Sequence, residues 1–319
     1  MKQLLHLIFL FTIVSFSQNF EKVDSIVLKY PSFSKEEDLA HQIENDFSTD
    51  LEKSRAAFFW LTKNIRYNVK EFYNPRKRGY RFQYASEEEK IQKLQGLKDQ
   101  LVAETFKNKL GVCEEYAQSF KKICDLLKIE AAVITGYVRI DSREIGKPSN
   151  SPNHAWNAVK IDGKWLILDA TWAAGSIYNN NWIRKFNDYF FDMPKDKMFK
   201  THFPSDTIWV LRFGRITLEE FYNQPIYSST FLNLKTTLIS PKTGIINLKL
   251  SENIELQFTD LDPKSLILYT FSGSRMAQKP LISSKNNITS VIIKNPNTAT
   301  DLVIYMNNKD ALHFKIRTD

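Results

Sequence analysis

The chain is poor in the residues that staple or punctuate a fold. Among 319 residues there are two cysteines, Cys113 and Cys124, with 10 glycines and 11 prolines. Two cysteines cannot build the disulfide framework that holds many small secreted domains together. No HExxH or CxxC spacing occurs, so neither a metal centre nor any other cofactor is expected. Internal repeats, heptads and low-complexity tracts are missing as well. Past the first twenty residues no run approaches the roughly 18 to 20 apolar residues that span a bilayer, so no stable membrane span is expected. The formal net charge is +8, with basic residues scattered apart from clusters such as Arg76, Lys77 and Arg78. No nucleic-acid motif accompanies that charge, and a nucleic-acid partner is not expected.

The remaining composition, 43% hydrophobic and 25% charged, is that of a globular chain forming one large domain or two smaller ones. Residues 1–18 form a basic, apolar, small-polar series: Lys2, then Leu4 to Val14 broken by His6 and Thr12, then polar residues up to Gln18. That order predicts a cleavable signal peptide and a secreted or periplasmic location, an oxidising space. No cysteine follows the apolar run to carry a lipid anchor.

From about Ser34 to Leu127 the periodicity is helical. Ala57, Phe58, Leu61 and Ile65 fall on one stripe, and Ser86 to Phe106 reads as a longer polar helix weakened at Gly96. Beyond Glu130 the pattern becomes β: AAVITGYVRI, an exposed loop from Ser142 to Asn153, then HAWNAVKI and KWLILDATW around the turn dipeptide Asp162-Gly163. Residues 178–227 read as irregular. After about Ser228, runs such as NIELQF, SLILYTF, SVIIKN, LVIYM and ALHFKI predict a small immunoglobulin-like β-sandwich. The expected division is a signal peptide at 1–18, a first domain at 19–230 and a β-rich domain at 231–319.

The two thiols separate by helical spacing. Val112, Cys113, Tyr116, Ala117, Phe120, Ile123, Cys124 and Leu127 lie on one helical face. Eleven residues are close to three turns, about 16 Å along the axis, whereas a disulfide needs Cα atoms within about 7 Å. Cys124 reads as a small buried hydrophobe. Cys113 falls in the first turn, where free N–H groups and the helix dipole favour a thiolate or an oxyanion, although a buried cysteine fits that position too.

A cysteine nucleophile needs a base and a group that orients it. Of five histidines, only His154 begins a strongly β-forming run. With a two-residue turn at Asp162-Gly163, His154 faces Thr171, and Asp169 lies two residues away on the same face of the next strand. Such a diagonal spans about 7 Å, within reach of an imidazole and a carboxylate. A structural salt bridge or turn cap for Asp169, and a core histidine at 154, remain open alternatives. On this register Trp156 and Trp165 share the His154 face and Trp172 lies on the other.

The segments GVCEEYAQSF, NHAWNAVKIDGKW and LDATW resemble, in order and spacing, the transglutaminase-like superfamily. The longer strings HAWNAVKIDGKWLILDATWAAG, DYFFDMPKDKMFKTHFPSDTIWVL and EEFYNQP are similar to its kyphoscoliosis peptidase branch. RAAFFWLTKNIRYN matches the helix preceding the core, so the resemblance covers about Ser54 to Pro225. It implies an α+β fold: a papain-like core of N-terminal helices packed on an antiparallel sheet, ahead of the β-sandwich. It also implies Cys113 as nucleophile, His154 as base and then acid, and Asp169 orienting His154, with thiol chemistry on a protein or peptide carbonyl, cell-envelope peptides included. Trp60 and Gln83 are the candidate oxyanion side chains. Glu114 and Glu115, directly after the cysteine, depart from the family pattern; the expectation is that both point to solvent, the alternative being that one faces the cleft and selects basic substrates or marks a weakened catalyst. A scaffold that kept the fold and lost turnover is the rival reading.

Overall fold

The computed structural model describes residues 20–75, 82–249 and 252–318. The leader at 1–18 and the Arg76–Lys77–Arg78 cluster lie outside the described residues. The architecture is α+β, with helices packed on an antiparallel sheet and further sheets following it.

Helix Asp50–Asn64 starts at a reciprocal cap: Thr49 Oγ1 accepts from the Glu52 N–H, and the Glu52 carboxylate accepts from the Thr49 N–H. Such a cap settles two of the orphan donors at a helix start. The helix is buried not along one stripe but on all sides from Lys53 to Thr62, because it runs through the middle of the helical layer. Helix Glu87–Asn108 begins at Ser86 and tolerates Gly96, which sits on its exposed face with no heavy atom near where a side chain would be. Helix Cys113–Leu126 follows, burying Tyr116, Phe120, Ile123 and Cys124.

Four antiparallel strands make the core sheet, in the order Lys164–Leu168, His154–Ile161, Ala131–Val138, His202–Pro204. Asp162 and Gly163 both take positive φ, 50° and 76°, the geometry of a type I′ hairpin turn. Ile161 therefore faces Lys164, and the register runs on as expected to Asn157 facing Leu168. The Ser142–Asn153 segment is not wholly exposed, since Ile145 is buried in it. Residues 178–227 hold several short elements, among them the strand His202–Pro204 and the helices Thr207–Phe213 and Leu218–Asn223.

Two long-range polar ties hold the helices and the sheet in place. The Asn157 amide donates to the carbonyls of Ala117, in the Cys113 helix, and Ala132, in the neighbouring strand, at 3.0 and 3.2 Å. Arg55, almost wholly buried, pairs with Asp24 at 2.7 Å and Asp188 at 2.5 Å, and lies over the rings of Phe20 and Phe191. It fastens helix Glu21–Val27 and the short turn Asp188–Phe190 to the central helix.

After the core come two facing sheets, whose strands bury alternate residues: Ile254, Leu256 and Phe258 in one, Leu302, Ile304 and Met306 in the other. The strand Ile226–Tyr227, which precedes residue 230, pairs with Leu312 and His313 of this β-sandwich. The apolar core is continuous from one part to the next.

Because Asn157 is buried and its bond to the Ala117 carbonyl is buried too, Asn157→Ala is expected to cost about 1–3 kcal/mol in urea unfolding.

Candidate functional site

Cys113 is the first residue of its helix, and Val112 before it is extended. Valine has no oxygen to cap the helix, and half of a reciprocal cap is supplied by the third residue instead. Glu115 folds back and accepts from the Val112 N–H at 3.1 Å. Glu115 is buried, contrary to the expectation that it points to solvent. Its place depends on Gly111, where an added Cβ would lie 2.4 Å from the Glu115 Cβ. Glu114 is half-buried and accepts from Gln118 Nε2 at 2.8 Å, one turn along the helix. Both carboxylates are engaged in local hydrogen bonds of the Cys113 helix. The next backbone N–H groups of this first turn, that of Cys113 included, have no partner within the helix.

Both cysteines are free, Cys113 half-buried and Cys124 fully buried. Burial pushes the Cys124 thiol far up, as expected of a packing residue.

His154 Nε2 lies 2.7 Å from Asp169 Oδ2, so the structure joins the histidine and the acid that the hairpin register paired. The route differs from the expected one. The strand after the turn ends at Leu168, and His154 faces Gly136 of the other neighbouring strand rather than Thr171. Asp169 caps the short helix Ala170–Ala174 instead, with Oδ1 accepting from the N–H groups of Thr171 and Trp172 at 2.8 and 3.0 Å. The turn-cap alternative is therefore present together with the histidine contact. Turning into a helix also moves Trp172 to 5.8 Å from the His154 ring, whereas a continued strand would send it to the opposite face. Trp156 lies beside the same ring at 6.1 Å, and Trp165 packs against Trp209.

The sequence reading missed His202. It is fully buried, with Nε2 at 3.1 Å from the same Asp169 Oδ2 and Nδ1 at 2.8 Å from Thr201 Oγ1. It sits on a three-residue strand, too short to carry a periodic signal. Its context, polar and irregular along the chain, gave no hint of a buried polar contact.

Burial alone would strip the proton from His154. The Asp169 charge, then the Cys113 thiol, outweigh it, and the imidazole is held well above the ordinary histidine range. Burial would likewise push the Asp169 carboxyl up, but the charge and hydrogen bond of His154, then the His202 bond, hold it below the usual carboxylate range. For His202 burial dominates, so this imidazole is pushed below its ordinary value despite Asp169. Tyr67, close enough to feel both Cys113 and Asp169, has its phenol pushed above its ordinary range, chiefly by burial.

His154, Asp169 and His202 offer ligand atoms within 4.8 Å of one another, a set that could hold a metal ion. Cys113 is not in that set; it enters only as one of the groups that raise the proton affinity of His154. At 2.7 and 3.1 Å the contacts are those of hydrogen bonds, with protons where an ion would otherwise stand. Of the two oxyanion candidates, Trp60 is fully buried, donates to the Pro31 carbonyl at 3.2 Å and stacks on Phe106, so its N–H is already used. Gln83 is exposed, and its carbonyl accepts from Lys93.

Residues 37–170 match the profile of the transglutaminase-like superfamily, a span that includes Cys113, His154 and Asp169. Human kyphoscoliosis peptidase is 26% identical over 232 residues, covering 72% of this chain and 32% of that protein. Its Mus musculus counterpart is 24% identical over 284 residues, covering 88% and 39%. Hillarin of Drosophila melanogaster is 27% identical over 229 residues, covering 66% and 25%. The chain thus spans well under half the length of these relatives. A TGase crystal structure aligns over 56% of this chain and 41% of its own, at 17% identity and a TM-score of 0.31, too low to carry an argument. Over residues 37–170 the chain is thus similar to the transglutaminase-like superfamily, and over a longer span to the kyphoscoliosis peptidase type.

Proposed function

We propose that this protein is a thiol hydrolase of the transglutaminase-like type, a peptidase or amidase able to pass its acyl group to water or to an amine. The observation that carries this reading is the buried His154–Asp169 pair, with Cys113, at the start of a helix, among the groups that raise the proton affinity of His154. Asp169 Oδ2 accepts from the Nε2–H of His154, which leaves Nδ1 as the nitrogen for Cys113. With the thiol proton already held on His154 as the imidazolium, the sulfur attacks a carboxamide or peptide carbonyl. A carbon–sulfur bond forms and the carbonyl oxygen gathers negative charge, which the free N–H groups of the first helical turn are placed to receive. His154 then returns the proton to the departing amine, leaving a thioester. Water or a second amine, deprotonated by the same imidazole, breaks the thioester and restores the thiol.

Substrates of this chemistry are proteins or peptides. On the same reading the leader at 1–18 directs the chain to a secreted or periplasmic location, where cell-envelope peptides are within reach.

Iodoacetamide supplies a test that needs no substrate. Cys113 is expected to be alkylated selectively below the ordinary thiol pKa of about 8.5, while buried Cys124 stays unmodified, and His154→Ala is expected to abolish that selectivity. Slow, equal labelling of both thiols in the folded protein would instead mean a scaffold without turnover.

The ion pair also predicts a pH-dependent stability. Asp169, depressed in the folded chain, stabilises above its unfolded value of about 3.9, and this is lost as pH falls through the folded value. His154, raised in the folded chain, stabilises fully below about 6.5, and this is lost as pH climbs towards its folded value. The stability gap between wild type and Asp169→Asn, from urea unfolding, should therefore be widest between about pH 4 and 6.5 and should narrow as pH rises further.

A further inference from the structure

Asp169 is wholly buried and receives four hydrogen bonds, two on each oxygen. Oδ1 takes the N–H groups of Thr171 and Trp172, and Oδ2 is shared by the Nε2 atoms of His154 and His202. The second imidazole is itself fixed. Burial favours its neutral form; in that form Nε2–H donates to Asp169, and Nδ1 accepts from the Thr201 hydroxyl. Its ring packs against those of Trp156 and Trp172, at 4.9 and 4.8 Å between centroids. His202 also comes from beyond residues 37–170, the span matched by the superfamily profile.

We propose that His202 is a positioning residue of this site: its Nε2–H on Asp169 Oδ2 fixes the carboxylate and sets the pH at which His154 releases its proton. This rests on the catalytic reading of Cys113, His154 and Asp169 given above. A hydrogen bond to the charged form of a carboxylate stabilises that form. Because both imidazoles use one oxygen, the His202 bond also draws away electron density that would otherwise strengthen the bond to His154. Removing it makes Oδ2 a better partner for an imidazolium, so His154 keeps its proton to higher pH, while Asp169 protonates more readily in acid. The other titratable groups facing the cluster are Cys113, Glu115 and Tyr116 from the Cys113 helix and Tyr67 from the strand Arg66–Tyr67, with Arg184 acting on Tyr116. None of these changes when His202 is replaced.

The full chain labelled with 15N-histidine, titrated by NMR, reads each imidazole directly. In His202→Phe, which fits the aromatic surroundings and lacks the donor, the His154 midpoint is expected to rise by about one pH unit, tenfold in its ionisation constant. In His202→Gln, whose amide N–H can reach the same oxygen, it is expected to return to within a few tenths of the wild-type value. An unmoved midpoint in folded His202→Phe, or an equal shift in both variants, would overturn the proposal. Wild type alone supplies a second measurement should the variants fail to fold. His202 should stay a neutral Nε2–H tautomer whose proton shift follows the His154 titration, and an Nδ1–H tautomer would refute the proposal. Iodoacetamide labelling keeps the two readings apart. Loss of selective, His154-dependent alkylation in wild type sinks the catalytic reading, whereas the NMR result alone decides the role of His202.

Discussion

The site depends on one buried charge. A carboxylate out of contact with water is costly unless every lone pair finds a donor, and Asp169 finds four. Each comes with a structural commitment. The two backbone donors require the chain to leave the strand at Leu168 and turn at once into a helix. The His154 bond requires the hairpin register, and the His202 bond brings in a strand on the opposite edge of the sheet. The Asp169 N–H donates to Phe190 in the turn that Arg55 holds through Asp188. A second buried charge thereby steadies the backbone of the first.

Much of this was legible in the sequence because it follows from periodicity. Helical spacing separated Cys113 from Cys124, and the Asp-Gly turn set a register that holds over the whole hairpin. That register put His154 and Asp169 near each other for a reason only partly right. It assumed that β-formers continue as a strand, but Asp169 is a strong N-cap and Ala170, Thr171, Trp172, Ala173 and Ala174 can follow it into a helix. Local capping overrode strand propensity, and a histidine contact survived because both routes place the carboxylate on the same side.

What stayed hidden was tertiary. His202 lies 33 residues from its acceptor, on an element too short for pattern to show. Glu115 looked like a solvated charge, since a glutamate in a first helical turn usually is one. Its burial depends on Gly111 making room and on Val112 having no oxygen to cap with, two facts that matter only once the helix start is built. The pairing of Ile226–Tyr227 was hidden likewise, because that strand is defined by a partner near residue 312.

The position of His202 relative to the superfamily span bears on how such a site could diverge. Residues 37–170 hold Cys113, His154 and Asp169, while the second imidazole on the carboxylate lies outside that span. On the proposed reading, the reacting groups and the residue that adjusts them are thus drawn from separate stretches of sequence. On that reading, substitution in the later stretch would retune proton affinity while leaving Cys113, His154 and Asp169 untouched, so two chains alike at those three positions need not work at the same acidity.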